Sequence, residues 1–393
     1  MKLAYIPVGA GGHILSSLPM IAELVKKGVE VNYFAPNSYK AQVELTGAKH
    51  CPFPEVEEKY AGKYLATEEF LAAIPMVFLG QAKEALDDIM AQLKADMPDA
   101  IITDELALAG RLAAWKLKLP MLMMFTSFAP GGKFSIFRTW PEFPGSPARA
   151  AAMELAQEFQ AEYGGPLLTP AEIFEGTGDY NVSTITKAFQ PGSENFGDNF
   201  FFAGAQIAPR AEDGTWQPPT NGKPLLYTSL GSLFNNWPEF YQMLFPVVKD
   251  LDINVLCSLG KTIKPEDLGE IPANVTTMAF TPQLEVLEHT DFFLTHAGIG
   301  SVMEALYHGV PMMCIPQMDE QIATARRAKE LGVVSDLMLK HEVTEEKLRE
   351  ALLELMNEPR YKRNAQAMSK EMRAEGGCER AAQAVIDYLN SLG

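Results

Sequence analysis

Cysteine is scarce in this chain of 393 residues, and the few that occur are widely scattered. There are four of them: Cys51, Cys257, Cys314 and Cys378. Because they form no C-x-x-C pair and no cluster of several cysteines and histidines, the sequence excludes a recognisable zinc site or disulfide framework. This cysteine usage is typical of the reducing cytoplasm, where we expect the protein to be located.

Positive charge and long apolar runs are also in short supply. The formal net charge is -17, which argues against a nucleic acid or an anionic membrane as a partner. No apolar run reaches membrane-spanning length, and no small-residue cleavage site follows the first fifteen residues. We therefore predict neither membrane insertion nor a signal peptide, and expect any anionic ligand to be held by a few local groups.

What the chain has in abundance is an alternation of short apolar strands with amphipathic helix patterns, which predicts an α/β fold. With 47% hydrophobic residues, the chain can fill two cores. We predict two Rossmann-like domains facing across a cleft, residues 1–207 and 224–375, joined by a Pro- and Gly-rich linker, 208–223. A final helix pattern within 376–393 could pack back on the first domain.

One strand of the second domain runs into the stretch THAGIGSVMEALYHGVP, residues 295–311. A strand that turns through glycines into a helix presents backbone N–H groups at a helix N-terminus, which predicts a phosphate pocket. Other interpretations remain open, because Ser301 and Glu304 have the spacing of a capping box and His296 could be a structural residue.

Polar residues follow three further strands of the second domain. Ser232 lies in a Ser-Gly-Ser turn that supplies a second set of donors for a diphosphate. A carboxylate such as that of Glu320 repels a phosphate, so we expect Glu320 and Gln321 to accept hydrogen bonds from sugar hydroxyls. The alternative is that this segment is simply the acidic first turn of a helix. Phe280 and Gln283 offer an aromatic face and an amide before a turn.

In the first domain a glycine-rich turn ends at His13 after the first strand. A dinucleotide-binding loop is the runner-up interpretation, but Ile14 stands where that motif needs glycine and the next strand ends without an acid. His13 is suited to take a proton, and Asp104, at the end of another strand, is suited to orient it. For each residue, capping of a helix start is the alternative.

Together these motifs resemble the donor-binding signature of nucleotide-sugar-dependent glycosyltransferases with the two-domain B-type fold, specifically the bacterial macrolide and flavonoid branch. The signature runs from Phe280 to Gln321, and the resemblance covers nearly the whole chain. Phe280 stands where the family commonly has a Trp stacked on uracil. Ser16 and Ser17 stand where an Asn-Pro commonly follows the histidine.

The resemblance implies a role for each matching residue. The diphosphate would be bound by Ser232, His296 and Ser301, the ribose by Gln283 and Glu304, and the sugar by Glu320 and Gln321. Gly298 and Gly300 are further donor-binding positions. His13 would be the general base and Asp104 its orienting carboxylate. Acceptor-binding candidates are Met76, Phe128, Phe134 and Phe137.

The activity implied is inverting transfer of a sugar, by default glucose, from a UDP-sugar to a hydroxyl of a small lipophilic acceptor such as a flavonoid, phenolic or macrolide. The UDP-sugar is a co-substrate, and neither a metal ion nor another cofactor is expected. Two alternatives are a nucleotide-sugar 2-epimerase and a non-catalytic ligand-binding protein on the same fold. Product analysis without an acceptor separates the epimerase from the transferase.

Overall fold

The computed structural model describes residues 1–55, 57–64, 70–131, 145–165, 170–208, 216–231 and 235–393. They form two compact units, Met1–Gln206 together with Glu375–Gly393, and Ile207–Ala374. Part of the predicted linker, 209–215, lies outside the described residues. In its described part, Asn221 bonds to Asn254 through their side-chain amides, so this segment is attached to the second unit. Among the described helices, none is long and apolar enough to cross a membrane.

The first unit is built on a parallel sheet. Its strands are β1 (Lys2–Ile6), β2 (Glu30–Ala35), β3 (Lys49–Pro52), β4 (Ala100–Asp104), β5 (Met121–Phe125), β6 (Tyr180–Ser183) and β7 (Phe200–Phe202). Its helices up to the second unit are α1 (Gly11–Lys26), α2 (Lys40–Leu45), α3 (Phe70–Ala95), α4 (Leu108–Leu117), α5 (Pro147–Tyr163) and α6 (Pro170–Glu175). The strand order is β3-β2-β1-β4-β5-β6-β7, so β1 and β4 are the neighbours at which the order reverses.

The first sheet is covered by apolar residues on both faces. Along β1, Leu3 and Tyr5 belong to one core cluster, whereas Ala4 and Ile6 belong to another. Successive side chains of a strand point to opposite faces, so a strand buried on both sides reads as a continuous apolar run rather than an alternating one. This is why the central strands were predictable from their composition.

The second unit has the same architecture. Its strands are β8 (Leu225–Ser229), β9 (Asn254–Ser258), β10 (Val275–Met278), β11 (Phe292–Thr295), β12 (Met312–Cys314) and β13 (Val334–Leu337). Its helices are α7 (Pro238–Val248), α8 (Gln283–Glu288), α9 (Ile299–Tyr307), α10 (Asp319–Glu330), α11 (Glu345–Asn357) and α12 (Pro359–Glu375). The order β10-β9-β8-β11-β12-β13 reverses between β8 and β11. The predicted α/β class with two parallel-sheet domains is confirmed.

The last helix, α13 (Gly377–Ser391), belongs to the first unit. Its buried Ala381, Ala382 and Val385 share a core cluster with Leu24 of α1. Tyr388 also stacks on Tyr180 of β6, with ring centroids 4.7 Å apart. The helix therefore packs on the first sheet although the chain reaches it only after the second unit.

Candidate active site

The first unit brings His13 and Asp104 together where the strand order reverses. Asp104 is the last residue of β4, and His13 lies in the first turn of α1, which follows β1. The Nδ1 atom of His13 lies 3.2 Å from Oδ2 of Asp104; the Asp104 side chain is fully buried, and that of His13 is 18% exposed. Parallel strands bind ligands at this edge, so the paired side chains occupy a typical site position.

Neither residue caps a helix, so the capping alternatives are wrong. Helix α1 begins at Gly11, with Ala10 as its N-cap, four residues before the apolar helix pattern that the sequence shows from Leu15. Helix α4 begins at Leu108 with Ala107 as its N-cap. The glycines in the first turn of α1 concealed its start, because glycine carries no side chain to contribute to an apolar pattern.

The Asp104 carboxylate is fixed by backbone donors on both oxygens. The N–H of Val8 donates to Oδ2 at 2.7 Å, and the N–H of Leu106 donates to Oδ1 at 2.9 Å. Because Oδ2 also faces the imidazole, the carboxylate can hold one ring orientation without moving. An imidazole with a fixed carboxylate at Nδ1 is suited to accept a proton at Nε2.

Two further residues of this cluster were not found by sequence reasoning. Glu105 is 4% exposed and accepts hydrogen bonds from Thr126, from its N–H at 3.3 Å and from its hydroxyl at 3.2 Å. The Thr126 hydroxyl also lies 3.2 Å from His13 Nδ1. Burial raises the pKa of Glu105 to about 7, with the charge of Asp104 adding to this effect and that of His13 opposing it.

The same cluster has the composition of a metal-ligand set. One ligand atom from each of His13, Asp104 and Glu105 lies within 4.8 Å of the others, a spacing found for no other group of such side chains in the described part of the chain. These atoms are already engaged with protein donors and with one another. The prediction that no metal is required is untested by this geometry.

The second unit places His296 at its own reversal of strand order. His296 follows β11, and Gly231 follows the neighbouring β8. Helix α9 begins at Ile299, with Gly298 as an N-cap that makes no side-chain hydrogen bond. Ser301 therefore lies inside the helix, and the capping-box interpretation of Ser301 and Glu304 is wrong.

The loop before α9 is unusual in its backbone. Ala297, which is fully buried, has a φ of 63°, in the left-handed region that residues other than glycine seldom adopt. Such conformations persist where the surrounding structure requires them, and they are concentrated at functional sites. The loop thus has a defined shape at the helix N-terminus, where backbone N–H groups attract anions.

Two glycines make room for the imidazole of His296. A Cβ atom on Gly231 would lie 2.6 Å from Nε2 of His296, and one on Gly298 would lie 2.5 Å from it. The Nδ1 atom is buried without a hydrogen-bond partner among the described residues. Burial lowers the pKa of His296 to about 4, so the ring is neutral at neutral pH. Ser232, predicted to act beside it, lies outside the described residues.

The predicted ribose-binding residues form one hydrogen-bonded group. The Gln283 amide donates to Glu304 Oε2 at 2.6 Å and to Ser301 Oγ at 3.2 Å, and its Oε1 accepts from the Tyr227 hydroxyl at 3.2 Å. Tyr227 is buried in β8 and stacked on Phe293. Gln283 and Glu304 are therefore held together at the start of α8 and in α9.

The remaining predicted donor residues lie on the second unit in different settings. Phe280 is 58% exposed, and Lys261 lies over its ring at 5.7 Å from the centroid. Glu320 lies in the first turn of α10, as the helix-start interpretation also requires. Gln321 is buried, and its Oε1 accepts from the N–H of Gln317 at 2.8 Å. Gly300, in α9, is exposed.

Four apolar residues of the first domain are the predicted acceptor-binding candidates. Phe134 and Phe137 lie outside the described residues. Phe128 is 3% exposed and stacks on Phe189, with centroids 5.8 Å apart. Met76 is part of α3 and packs against a small cluster that includes Tyr64. Acceptor binding by these residues stays a prediction.

Known proteins resemble the chain over nearly its entire length. Residues 212–375 match the family model of UDP-glucoronosyl and UDP-glucosyl transferases. The NDP-glycosyltransferase YjiC of Bacillus licheniformis is 31% identical, over 100% of this chain and 98% of its own. The chain belongs to the UDP-glucoronosyl and UDP-glucosyl transferase family. The family resemblance stated from the sequence is confirmed.

Two other similar proteins agree with this assignment. The demethyllactenocin mycarosyltransferase of Streptomyces fradiae is 31% identical to this glycosyltransferase, over 99% of this chain and 86% of its own. The crystal structure of the glycotransferase of kitacinnamycin superposes with a TM-score of 0.87 at 29% identity, covering 99% of this chain and 98% of the other. This glycosyltransferase thus transfers a sugar from a nucleotide sugar, and the epimerase and non-catalytic alternatives gain no support from these relatives.

Proposed function

We propose that this glycosyltransferase moves glucose from UDP-glucose to a hydroxyl of a small lipophilic acceptor, with inversion at the anomeric carbon. The observation that carries the proposal is the contact of 3.2 Å between His13 Nδ1 and the fully buried Asp104 carboxylate. Because the carboxylate occupies Nδ1, the ring presents Nε2 as its proton-accepting nitrogen.

In the proposed step, the acceptor oxygen attacks the anomeric carbon while its proton passes to Nε2 of His13. The bond between the anomeric carbon and the diphosphate oxygen breaks, and UDP leaves with the electron pair. The imidazolium that forms is stabilised by Asp104, which does not need to take the proton itself. A single displacement of this kind inverts the anomeric configuration.

The second unit supports the leaving group in this proposal. The N-terminus of α9 supplies backbone N–H groups and the positive end of a helix dipole. His296, being neutral, acts as a hydrogen-bond donor rather than as a cation. Gln283 and Glu304 hold the ribose, Phe280 stacks on uracil, and Glu320 and Gln321 bind the sugar. With the charge balanced in this way, the proposal needs no metal ion.

The proposed acceptor class is a small lipophilic natural product. Two relatives are named for demethyllactenocin and kitacinnamycin, which supports a natural product as the acceptor. A lipophilic acceptor also agrees with the apolar character of the residues that we propose to bind it in the first domain, Met76, Phe128, Phe134 and Phe137. We place the protein in the cytoplasm, where nucleotide sugars are available.

The test is mass spectrometry of the protein with UDP-glucose or TDP-glucose and a panel of phenolic, flavonoid and macrolide acceptors. Each reaction is run with EDTA, with added magnesium and without an acceptor. A hexose increment on an acceptor with UDP-glucose, unchanged by EDTA, supports the proposal. Preference for TDP-glucose, dependence on magnesium or an isomerised sugar in the absence of acceptor would each contradict a defined part of it.

A further inference from the structure

The first-unit site contains a second buried carboxylate that the proposed transfer does not use. Glu105 follows Asp104 directly, is 4% exposed, and bonds to the hydroxyl and N–H of Thr126. Burying two adjacent carboxylates is unfavourable unless each has partners, because both lose hydration and repel each other. The Thr126 hydroxyl that bonds to Glu105 also contacts Nδ1 of His13, so it connects Glu105 to the imidazole.

The Thr126 hydroxyl has one hydrogen to donate and lies between Glu105 and His13. Its oxygen is 3.2 Å from Oε1 of Glu105 and 3.2 Å from Nδ1 of His13. When Glu105 is ionised it can only accept, so the hydroxyl hydrogen points to Glu105 and the oxygen lone pair faces Nδ1. Nδ1 then carries the ring proton, shared with Asp104, and Nε2 keeps the lone pair that takes the proton of the acceptor.

Protonation of Glu105 reverses the direction of these hydrogen bonds. The carboxylic O–H can donate to the Thr126 oxygen, which allows the Thr126 hydrogen to point to Nδ1. That arrangement favours the tautomer whose proton is on Nε2, and this tautomer cannot accept another proton there. Asp104 opposes the change, since its carboxylate accepts from a protonated Nδ1.

We propose that Glu105, acting through Thr126, is a positioning residue for His13 that keeps the ring proton on Nδ1 while it is ionised and ceases to do so when it is protonated. The inference rests on the proposed role of His13 as the base. Neither the adjacency of two acids nor a threonine after β5 signalled this arrangement in the sequence.

Among the residues that the structure describes, three charged or titratable groups act on Glu105. His13 faces it from α1 and Asp104 from β4, while Tyr5 of β1 interacts electrostatically with both carboxylates. Burial raises the pKa of Glu105 to about 7 and raises that of Tyr5 well above its ordinary value, so Tyr5 stays neutral. The arrangement in which Thr126 donates to ionised Glu105 and Nδ1 carries the ring proton is therefore fully populated above neutral pH. It is lost as the pH falls through about 7.

The experiment compares the kcat/KM for the acceptor of the wild type and of E105Q between pH 5.5 and pH 8.5. We expect E105Q to be about tenfold slower at pH 8.5, where the wild-type residue is charged, and nearly equal at pH 5.5, where it is not. Glu105 also acts on His13 directly through its charge. Because that charge favours the protonated form of His13, its loss alone would not slow E105Q, so the slower rate of E105Q at pH 8.5 is the deciding value. A merely structural defect would give a ratio that does not depend on pH.

Variants of Thr126 supply the second arm of the test. T126V, which removes the bridging hydroxyl, is expected to reproduce the pH-dependent loss, whereas T126S is expected to keep nearly wild-type rates. The double variant E105Q/T126V should be no slower than either single variant, because both interrupt one path. If E105Q does not fold, as judged by its thermal denaturation, the T126V series alone decides.

A ratio of wild-type to E105Q activity that stays constant with pH, or additive losses in the double variant, would overturn the inference. The variant H13A distinguishes this failure from failure of the proposed function. If H13A retains transfer, the base assignment itself is wrong. If H13A abolishes transfer while the E105Q ratio is flat, only the role of Glu105 is refuted.

Discussion

Each unit has a histidine near the reversal of its strand order, yet the surroundings of the two histidines are opposite. His13 and His296 each follow a strand at the point where the strand order reverses. His13 faces the carboxylate of Asp104 directly, and that of Glu105 through Thr126. His296 is enclosed by two glycines, and its buried Nδ1 has no partner among the described residues.

The comparison shows that the surroundings of each histidine, rather than the residue type, determine its protonation and therefore its role. Carboxylates around an imidazole stabilise its protonated form, whereas enclosure away from charge stabilises its neutral form. Burial accordingly lowers the pKa of His296 to about 4. The first unit is therefore suited to proton transfer, and the second to binding of a ligand without a change of charge on its histidine.

The largest effect is expected from removing the first histidine. H13A should lower kcat by about 10²–10⁴-fold, because general base catalysis is lost, while the affinity for the nucleotide sugar stays the same. Steady-state rates and calorimetric titration with UDP measure the two quantities. H341A, at an exposed histidine, is the control that should retain full activity. If H13A lost donor affinity as much as rate, His13 would not be a residue of proton transfer alone, and the proposed difference between the two units would be wrong.

A smaller effect is expected from crowding the second histidine. In G231A the new Cβ would lie 2.6 Å from His296 Nε2 and the residue would keep a φ of 81°, so we expect UDP to bind about tenfold more weakly. G28A is the control, since Gly28 also has a positive φ, 86°, and open space around the Cβ position. Both variants place a side chain at a positive φ, but only G231A displaces the imidazole. Equal UDP affinity in the two variants would show that the position of the His296 imidazole does not matter for UDP binding.

The smallest effect is expected on the pH dependence of the free energy of unfolding, to which His296 contributes. Because the pKa of His296 is lowered to about 4 in the folded protein, the unfolded chain binds more protons between about pH 6.5 and pH 4. Its contribution to stability is thus complete above about pH 6.5 and is lost as the pH falls towards 4. His308, whose pKa burial also lowers, acts with the same sign.

The measurement is the difference in Tm between pH 7 and pH 5 for the wild type and H296Q. We expect H296Q to lose less on acidification, by on the order of 2–4 °C, the shift that about 1 kcal/mol produces in a domain of this size. H341Q should behave as the wild type does. Glu105 has the opposite sign, since its raised pKa favours the folded state as the pH falls from about 7 to 4.5, so E105Q should lose more. A Tm difference that none of these substitutions alters would refute both assignments.

The sequence predicted the central strands of both sheets and the edge strand β10, but it did not indicate the edge strands β3, β7 and β13. Strands β3 and β13 lack a continuous apolar run, which an edge strand does not need, whereas β7 consists of only three residues, all Phe. In β3, for example, the residues are Lys49, His50, Cys51 and Pro52, and Cys51 alone is buried. Edge strands are defined by the neighbour that they pair with, which lies elsewhere in the chain.

The site was predictable where a motif identified it. His13 and Asp104 were named from their positions after strands, and the structure places them in contact. Glu105 and Thr126 were missed because their relation depends on the register of β4 against β5, in which Asp104 lies beside Met124. That register is a tertiary property, and no local pattern of residues encodes it.

The return of α13 to the first sheet has a consequence for the synthesis of the chain. A ribosome makes residues 207–374 before it makes the helix that covers Leu24 and Tyr180. During that interval the nascent first unit exposes an apolar surface, while the whole second unit can already fold. The last helix therefore acts as a late closing step, and a nascent chain stalled before residue 377 should bind chaperones through the uncovered face of α1.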